Sequence, residues 1–346
     1  MLEICHGDIL KSKAQTLVSP VNCSGIIEKG VSVAIKKAFP VSFMNYYNVC
    51  MHQSLQIGHP YLCKQYSSPW ILYFPTKPHW RSSVKAYDII KGLDFLRTHY
   101  KQLGIDSIAM PALGCEEGQL SWNLFGPTLC KYLEELDIPV KLYISGNEET
   151  SSLIEPVWFA IVEIVNRIES HSLHWSVGIN KLKNIIYFAT ELGLPTDLKY
   201  QRSFTGLHAP FVELKITSLL NNGLLQEEQL GKISIVHSGE VFSNIRFVFP
   251  EIWLSIIDKL ANFFSSLDAE DADIAAEVLF TFKHAVVDKP TEVELLEKSW
   301  EEIGKGKNPP PKEKVASMVR ALNMLNFLDA KISSKIRPNA EFGFIP

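Results

Sequence analysis

The chain has 346 residues, is 46% hydrophobic and 21% charged, and carries a formal net charge of −4, the balance of a globular protein long enough for two domains. No run approaches the ~20 apolar residues of a membrane span, and the N-terminus "MLEICHGDIL" is acidic and polar where a signal peptide would be basic and then apolar, so a cytoplasmic location away from membranes is expected. The cysteines (Cys5, Cys23, Cys50, Cys63, Cys115, Cys130) are dispersed, without a C-x-x-C pair or a His-rich cluster, so no disulfide framework, metal or other cofactor is expected.

In the first half, "QTLVSPV", "WILYFP", "IDSIAMP" and "IPVKLYI" are predicted strands. Between them, "GVSVAIKKAF" sets Val31, Ala34, Ile35 and Ala38 on one side and Lys36 and Lys37 on the other, which is a helical pattern. Trp70 to Phe74 read as a buried strand, with Pro75 and Pro78 expected to stop it and present Lys77 on a stiff turn. From Ser83, the residues Val84, Tyr87, Ile90, Leu93, Leu96, Tyr100 and Leu103 recur at helical spacing as far as Gly104, and a third helix starts near Trp122. This alternation predicts an α/β/α sandwich around a largely parallel sheet.

The polar stretch "SGNEETSSL" at 145–153 marks the expected boundary between domains at 1–150 and 165–346, with a bridging helix from about Pro156 to Arg167. Beyond it, "NKLKNIIYFATELGL", "FVELKITSLLNNGLL", "EIWLSIIDKLANFFSSL" and "VASMVRALNMLNFLDA" are amphipathic helices and "GKISIVHSGEVF" holds a short strand, so a helix-rich α+β domain is expected. "GKGKNPPPKEK" at 304–314 is a predicted loop. Charge divides unevenly: residues 1–150 hold 14 Lys/Arg and 13 Asp/Glu, whereas 251–302 alone hold 13 carboxylates against four lysines. That acidic segment is either a set of solvated helix faces or a surface that meets a basic partner by imitating a nucleic-acid backbone.

Ligands of parallel α/β sheets sit beyond the carboxyl ends of the strands, where loops converge and helix N-termini offer free N–H groups. Three loops leave such ends: "NCSGIIEKG" (22–30), the turn carrying Lys77, and "ALGCEEGQLSW" (112–122). Together they describe a pyrophosphate site with a lysine beside it.

"GDIL" at 7–10, "VSPVNCSGIIEKGVSVAIKKAFP" at 18–40 and "MPALGCEEGQLSW" at 110–122 resemble macrodomains, ADP-ribose-binding α/β/α modules, over roughly residues 1–146. The resemblance is to the branch of the terminal ADP-ribose protein glycohydrolase and the DarG antitoxins, and the segments "INKLKNIIYFATELGL" and "RSFTGLHAPFVELKITSLLNNGLL" resemble the DarG C-terminal domain. It implies removal of ADP-ribose from bases of single-stranded DNA, and binding of a DarT-like toxin by an acidic, DNA-mimicking second domain. It also implies roles for individual residues. Lys77, in "FPTKPHWR", takes the place of the catalytic lysine and would attack the anomeric carbon, or its ring-opened aldehyde, as a neutral amine, with Arg81 and Lys85 as nearby cations. Asp8, with Ile9 beside it, would read adenine, or else Asp8 caps a turn. Asn22 would contact the distal ribose, or else order its loop. Gly30 and Val31 would meet the pyrophosphate, with Gly114, Cys115 and Gly118 forming the second phosphate loop. Glu28, Glu116 and Glu117 add carboxylates to these two loops, which leaves open a degenerate pocket that neutralises the toxin by binding only, or a non-hydrolytic ADP-ribose reader.

Overall fold

The computed structural model describes residues 1–346 except 28, 67, 116–118, 145–153, 204–205, 285–289, 305–309 and 329–346. The chain divides into two compact units: Met1–Ile154 with Ser218–Leu224 and Gly239–Ile245, and Glu155–Thr217 with Leu225–Ser238 and Arg246–Pro346.

The first unit runs β1 (Leu2–Cys5), a single 3-10 turn (Ile9–Lys11), β2 (Thr16–Asn22), α1 (Val31–Ala38), α2 (Pro40–Met51), β3 (Tyr61–Cys63), β4 (Trp70–Lys77), α3 (Ala86–Leu103), β5 (Ile108–Pro111), α4 (Trp122–Glu134) and β6 (Val140–Tyr143). The six strands form one sheet in the order β1-β6-β5-β2-β4-β3, parallel except for the antiparallel edge strand β3. Alternate side chains of the central strands serve opposite faces. Leu17, Val21, Ile71 and Tyr73 pack with Ile35 of α1 and Tyr46 and Cys50 of α2 in one core cluster. On the other face the Phe74 ring presses on Gly92 of α3, where a Cβ would lie 2.4 Å from it. The unit is the α/β/α sandwich that the alternation of elements predicts.

β4 runs through Pro75 to Lys77 and does not stop at Phe74. Trp70 donates its N–H to Gln15 beside β2 at 2.7 Å, so in this alternating backbone the missing N–H of Pro75 would point away from β2. On that side β3 pairs only with Ile71 to Tyr73. Pro75 therefore removes no ladder bond. Two edge strands and α2 have no clear sequence pattern: β1 and β3 are four and three residues long, and α2 turns Ser42, Tyr46 and Cys50 inward in place of aliphatic residues.

After Ile154 the chain continues as α5 (Pro156–Ser170), α6 (Ile179–Glu191), β7 (Gln201–Ser203), β8 (Gly206–His208), α7 (Val212–Asn221), β9 (Leu225–Leu230), β10 (Ile233–Ser238), α8 (Glu240–Ser243), α9 (Glu251–Ser265), α10 (Ala269–Lys283), α11 (Glu292–Gly304) and α12 (Lys312–Met324). α5 is apolar almost all round, with Val157 to Val162, Ile164, Val165 and Ile168 buried, as a central helix must be. The second region is thus helix-rich, with two short antiparallel hairpins. No helix among the described residues is long and apolar enough to cross a membrane. Much of the acidity of 251–302 is used internally: Asp268 caps α10, Glu270 and Asp271 hold Lys314, Glu277 holds Arg202, and Glu297 holds Lys312.

Lys181 of α6 is 1% exposed, and its ammonium donates to the carbonyls of Trp175 at 3.0 Å and Leu267 at 2.7 Å. Burial lowers its pKa to about 8 although Asp268 opposes the shift. The unfolded lysine keeps its proton up to the ordinary 10.5, so between these values the unfolded state binds more protons and stability rises with pH. Denaturant titrations should show wild-type stability gaining on Lys181→Met by up to about 1 kcal/mol per pH unit across this window. A difference that is constant with pH would contradict the assignment.

Candidate functional site

The three central strands β5, β2 and β4 end side by side, and the loops that leave them enclose a cleft. It is lined by Pro20, Val21, Asn22, Ile26, Ile27, Lys29, Ser32, Thr76, Lys77, Trp80, Val84, Gly114 and Gln119. Its open space, solvent at the mouth included, is about 660 Å³. Among the described lining residues Lys29 and Lys77 are cationic and none is a carboxylate, which favours an anionic ligand.

A bulge sets the position of the lysine. Val21 pairs with Pro75, but Asn22 pairs with Lys77, so Thr76 is an extra residue on β4. Its hydroxyl donates to the Val21 carbonyl at 3.3 Å, and the Lys77 carbonyl accepts from the Cys23 N–H at 3.3 Å. Such a bulge re-aims the side chain that follows it; here it brings Lys77 opposite Asn22. Burial, with Cys50 and Asp88 adding to it, pushes the Cys23 thiol up to about 11, so at neutral pH this neighbour is a protonated thiol and not a competing nucleophile.

Asn22, 5% exposed, spends its amide on the loop that follows it. Oδ1 accepts from the Ser24 N–H at 3.0 Å, the Ser24 hydroxyl at 2.7 Å and the Ile26 N–H at 3.4 Å, while Nδ2 donates to the Ile26 carbonyl at 2.5 Å. The buried Tyr46 hydroxyl donates to the Asn22 carbonyl at 2.7 Å and fixes the same corner. Asn22→Ala should cost about 2–3 kcal/mol by orphaning these partners, read as a lowered denaturation midpoint; an unchanged midpoint would show that the loop orders itself without the amide.

The loop enters α1 through Gly30, whose φ of +73° suits glycine and whose position has no side-chain cap. The first turn of α1 therefore has no side-chain acceptor at its cap position, and although the Val33 N–H donates to the Gly30 carbonyl at 3.1 Å, the N–H groups of Val31 and Ser32 are the kind of donors that favour phosphate. Ser32 in that turn ties the helix to β2 through a short hydrogen bond to the Pro20 carbonyl. The loop after β5 turns at Gly114, at φ +79°, and closes on itself through the Leu120 N–H to the Gly114 carbonyl at 3.1 Å. Gln119 accepts from the Val84 N–H at 3.0 Å, and the Ser121 N–H donates to Asn222 at 3.0 Å.

Of the residues singled out from the sequence, Asn22, Lys77 and Gly114 line the cleft, and Gly30 and Val31 head the helix that contributes Ser32. Cys115 is buried at the Gly114 turn, its N–H donating to the Ala112 carbonyl at 3.0 Å. Asp8 caps the 3-10 turn, accepting from the Leu10 N–H at 3.0 Å, and Ile9 is in the core; neither lines the cleft. Gly118, Glu28, Glu116 and Glu117 lie outside the described residues. Ser32, Trp80 and Gln119 are lining residues that the sequence reading missed. Trp80, three residues after Lys77 in "TKPHW", carried a visible signal; Gln119 carried none.

Residues 18–125 match the Macro domain family model. The structure of the macrodomain of Thermus aquaticus DarG is 31% identical, with 42% of this chain and 97% of that chain covered and a TM-score of 0.39. Residues 18–125 are thus a Macro domain within a longer chain. Among curated proteins, this macrodomain protein is 37% identical over 161 residues to the DNA ADP-ribosyl transferase-DNA ADP-ribosyl glycohydrolase fusion protein of Thermosipho africanus, covering 41% of this chain and 42% of the relative. It is 33% identical over 213 residues to the DNA ADP-ribosyl glycohydrolase of Thermus aquaticus, covering 58% of this chain and 59% of the relative. The macrodomain protein thus spans about half the length of the curated relatives it matches.

Proposed function

We propose that this macrodomain protein is a DNA ADP-ribosyl glycohydrolase that removes ADP-ribose from bases of single-stranded DNA, and that it acts in the cytoplasm as the antitoxin of a DarT-like DNA ADP-ribosyltransferase. The observation that carries the reading is the bulge that sets Lys77 opposite Asn22 in a cleft flanked by the N-terminus of α1 and the Gly114 loop. The Thermosipho and Thermus relatives, a DNA ADP-ribosyl transferase-DNA ADP-ribosyl glycohydrolase fusion protein and a DNA ADP-ribosyl glycohydrolase, supply the substrate class. The pyrophosphate lies on the first turn of α1, at Gly30 and Val31, and on the loop of Gly114, Cys115 and Gly118. Adenine reaches the turn of Asp8 and Ile9, where the second carboxylate oxygen of Asp8 accepts from its amine.

In the reaction Nζ of Lys77 attacks the anomeric carbon of the distal ribose. The bond to the base breaks, and its electron pair leaves with the base nitrogen, which takes up a proton. Water then releases ADP-ribose and restores the amine. The chemistry needs no metal. Incubating the full chain with ADP-ribosylated single-stranded DNA should release free ADP-ribose and the unmodified strand over many turnovers; folded protein that binds ADP-ribose but releases none would make it a reader.

The second activity of the reading is sequestration of the transferase by the acidic second unit. The fusion of transferase and glycohydrolase in the Thermosipho relative supports a partnership of the two, and the exposed carboxylates of Glu251 and Glu301 are available to a basic groove. Binding of the transferase should weaken at least about tenfold between 50 and 300 mM salt, because surface charges are screened over roughly 10 Å or less. Salt-independent binding would remove the electrostatic basis.

A further inference from the structure

The cleft wall does not end at Lys77. The segment Pro78 to Ser82 folds back as a tight turn: the Ser82 N–H donates to the His79 carbonyl at 3.0 Å, and the Arg81 N–H donates to Nδ1 of His79 at 3.3 Å. This turn holds an aromatic side chain over the mouth of the cleft. Trp80 is half-buried and lines the cleft together with Lys77, the Arg81 guanidinium lies 4.5 Å from its ring centroid, and the His79 ring is 5.7 Å away. His79, Arg81 and Lys85 are exposed. A second exposed pairing of cation and ring follows in the helix the turn leads into, with Lys91 4.3 Å over Tyr87 at the start of α3.

Resting on the function proposed above, we infer that this turn is a single-strand platform: Trp80 stacks on a base beside the modified nucleotide, and Arg81, with Lys85 next to it, holds the neighbouring phosphates. Rings alternating with cations along an exposed path are what sequence-tolerant single-strand binding requires, because every base has a face to stack and every phosphate a charge. The position of Trp80 decides which part of the substrate it meets. Asp8 and Ile9 lie outside the cleft lining, on a turn packed against α1 and β5. In the sheet order β5 is two strand positions from β4, or about 10 Å. Adenine at that turn and the anomeric carbon at Lys77 place Trp80, on the Lys77 wall, with the leaving strand.

The turn also presents the ring at low entropic cost, since its two internal bonds and Pro78 restrict the backbone before any ligand arrives.

The test uses the full chain and a labelled, unmodified twelve-nucleotide thymidine strand, followed by fluorescence anisotropy, with free ADP-ribose binding measured in parallel by calorimetry. Trp80→Leu and Arg81→Gln should each weaken binding of the strand about tenfold, Trp80→Phe should retain most of it, and Arg81→Gln should reduce the salt dependence by about one phosphate contact. Strand affinity unchanged in both Trp80→Leu and Arg81→Gln overturns the platform. A Trp80→Leu loss as large for free ADP-ribose as for the strand also overturns it, by assigning the ring to the dinucleotide. The proposed hydrolase fails separately, through absence of ADP-ribose release by the wild type, whatever the strand measurements show.

Discussion

Lys77→Ala is expected to lower the rate of ADP-ribose release by about 10³-fold or more while leaving the fold intact. The nucleophile is lost outright, and a thousandfold corresponds to about 4 kcal/mol of transition-state stabilisation. Stability should hardly change, because Lys77 is only half-buried and closes β4 through its backbone. Lys77→Arg separates nucleophilic from purely electrostatic roles: a guanidinium keeps the positive charge but stays protonated and cannot attack. The arginine variant should bind ADP-ribose and release none from DNA. Release by Lys77→Arg at near wild-type rate would assign the position to charge alone.

Gly114→Ala is the second large effect, and it falls first on stability. At φ +79° a Cβ is strained, and the space it would occupy is taken: Ile89 Cδ1 would lie 2.7 Å away, Leu120 Cδ1 2.8 Å and Val84 Cγ1 3.0 Å. Left-handed strain of about 1 kcal/mol and overpacking of about 1–3 kcal/mol add to an expected loss of about 2–4 kcal/mol. The same displacement shifts the loop that carries Gln119 to Val84, so ADP-ribose affinity should fall together with the denaturation midpoint. A variant of wild-type stability and affinity would mean that Ile89 and Leu120 repack freely, which their burial opposes.

The sandwich was legible because β2, β4, β5 and α3 carry long, clean patterns, whereas β1 and β3 are too short to show a period and α2 buries a stripe of Ser, Tyr and Cys. The end of β4 was misread because proline is costly only where an N–H is needed, and the side of Pro75 that lacks a partner strand is a property of the sheet, not of the tripeptide. The cleft residues Asn22, Lys77 and Gly114 stood out as strand-end residues, but the device that aligns them, an extra Thr76 on β4, has no local signature. For Asp8 and Asn22 the structural alternatives weighed from the sequence, a turn cap and a loop amide, are the hydrogen bonds observed. Acidity in 251–302 likewise looks different once folded, since Arg202, Lys312 and Lys314 come from outside the segment to meet it.

The central claim is that the Lys77 amine bonds to the anomeric carbon of ADP-ribose. It is tested most directly by adding cyanoborohydride during turnover of ADP-ribosylated single-stranded DNA by the full chain and mapping the modified peptide by mass spectrometry. The hydride reduces an imine between the amine and the ring-opened sugar to a stable secondary amine, so the account predicts one ADP-ribose adduct, on Lys77, and progressive loss of activity. Continued release with no adduct at Lys77, or an adduct on another lysine that accounts for the inactivation, would contradict it.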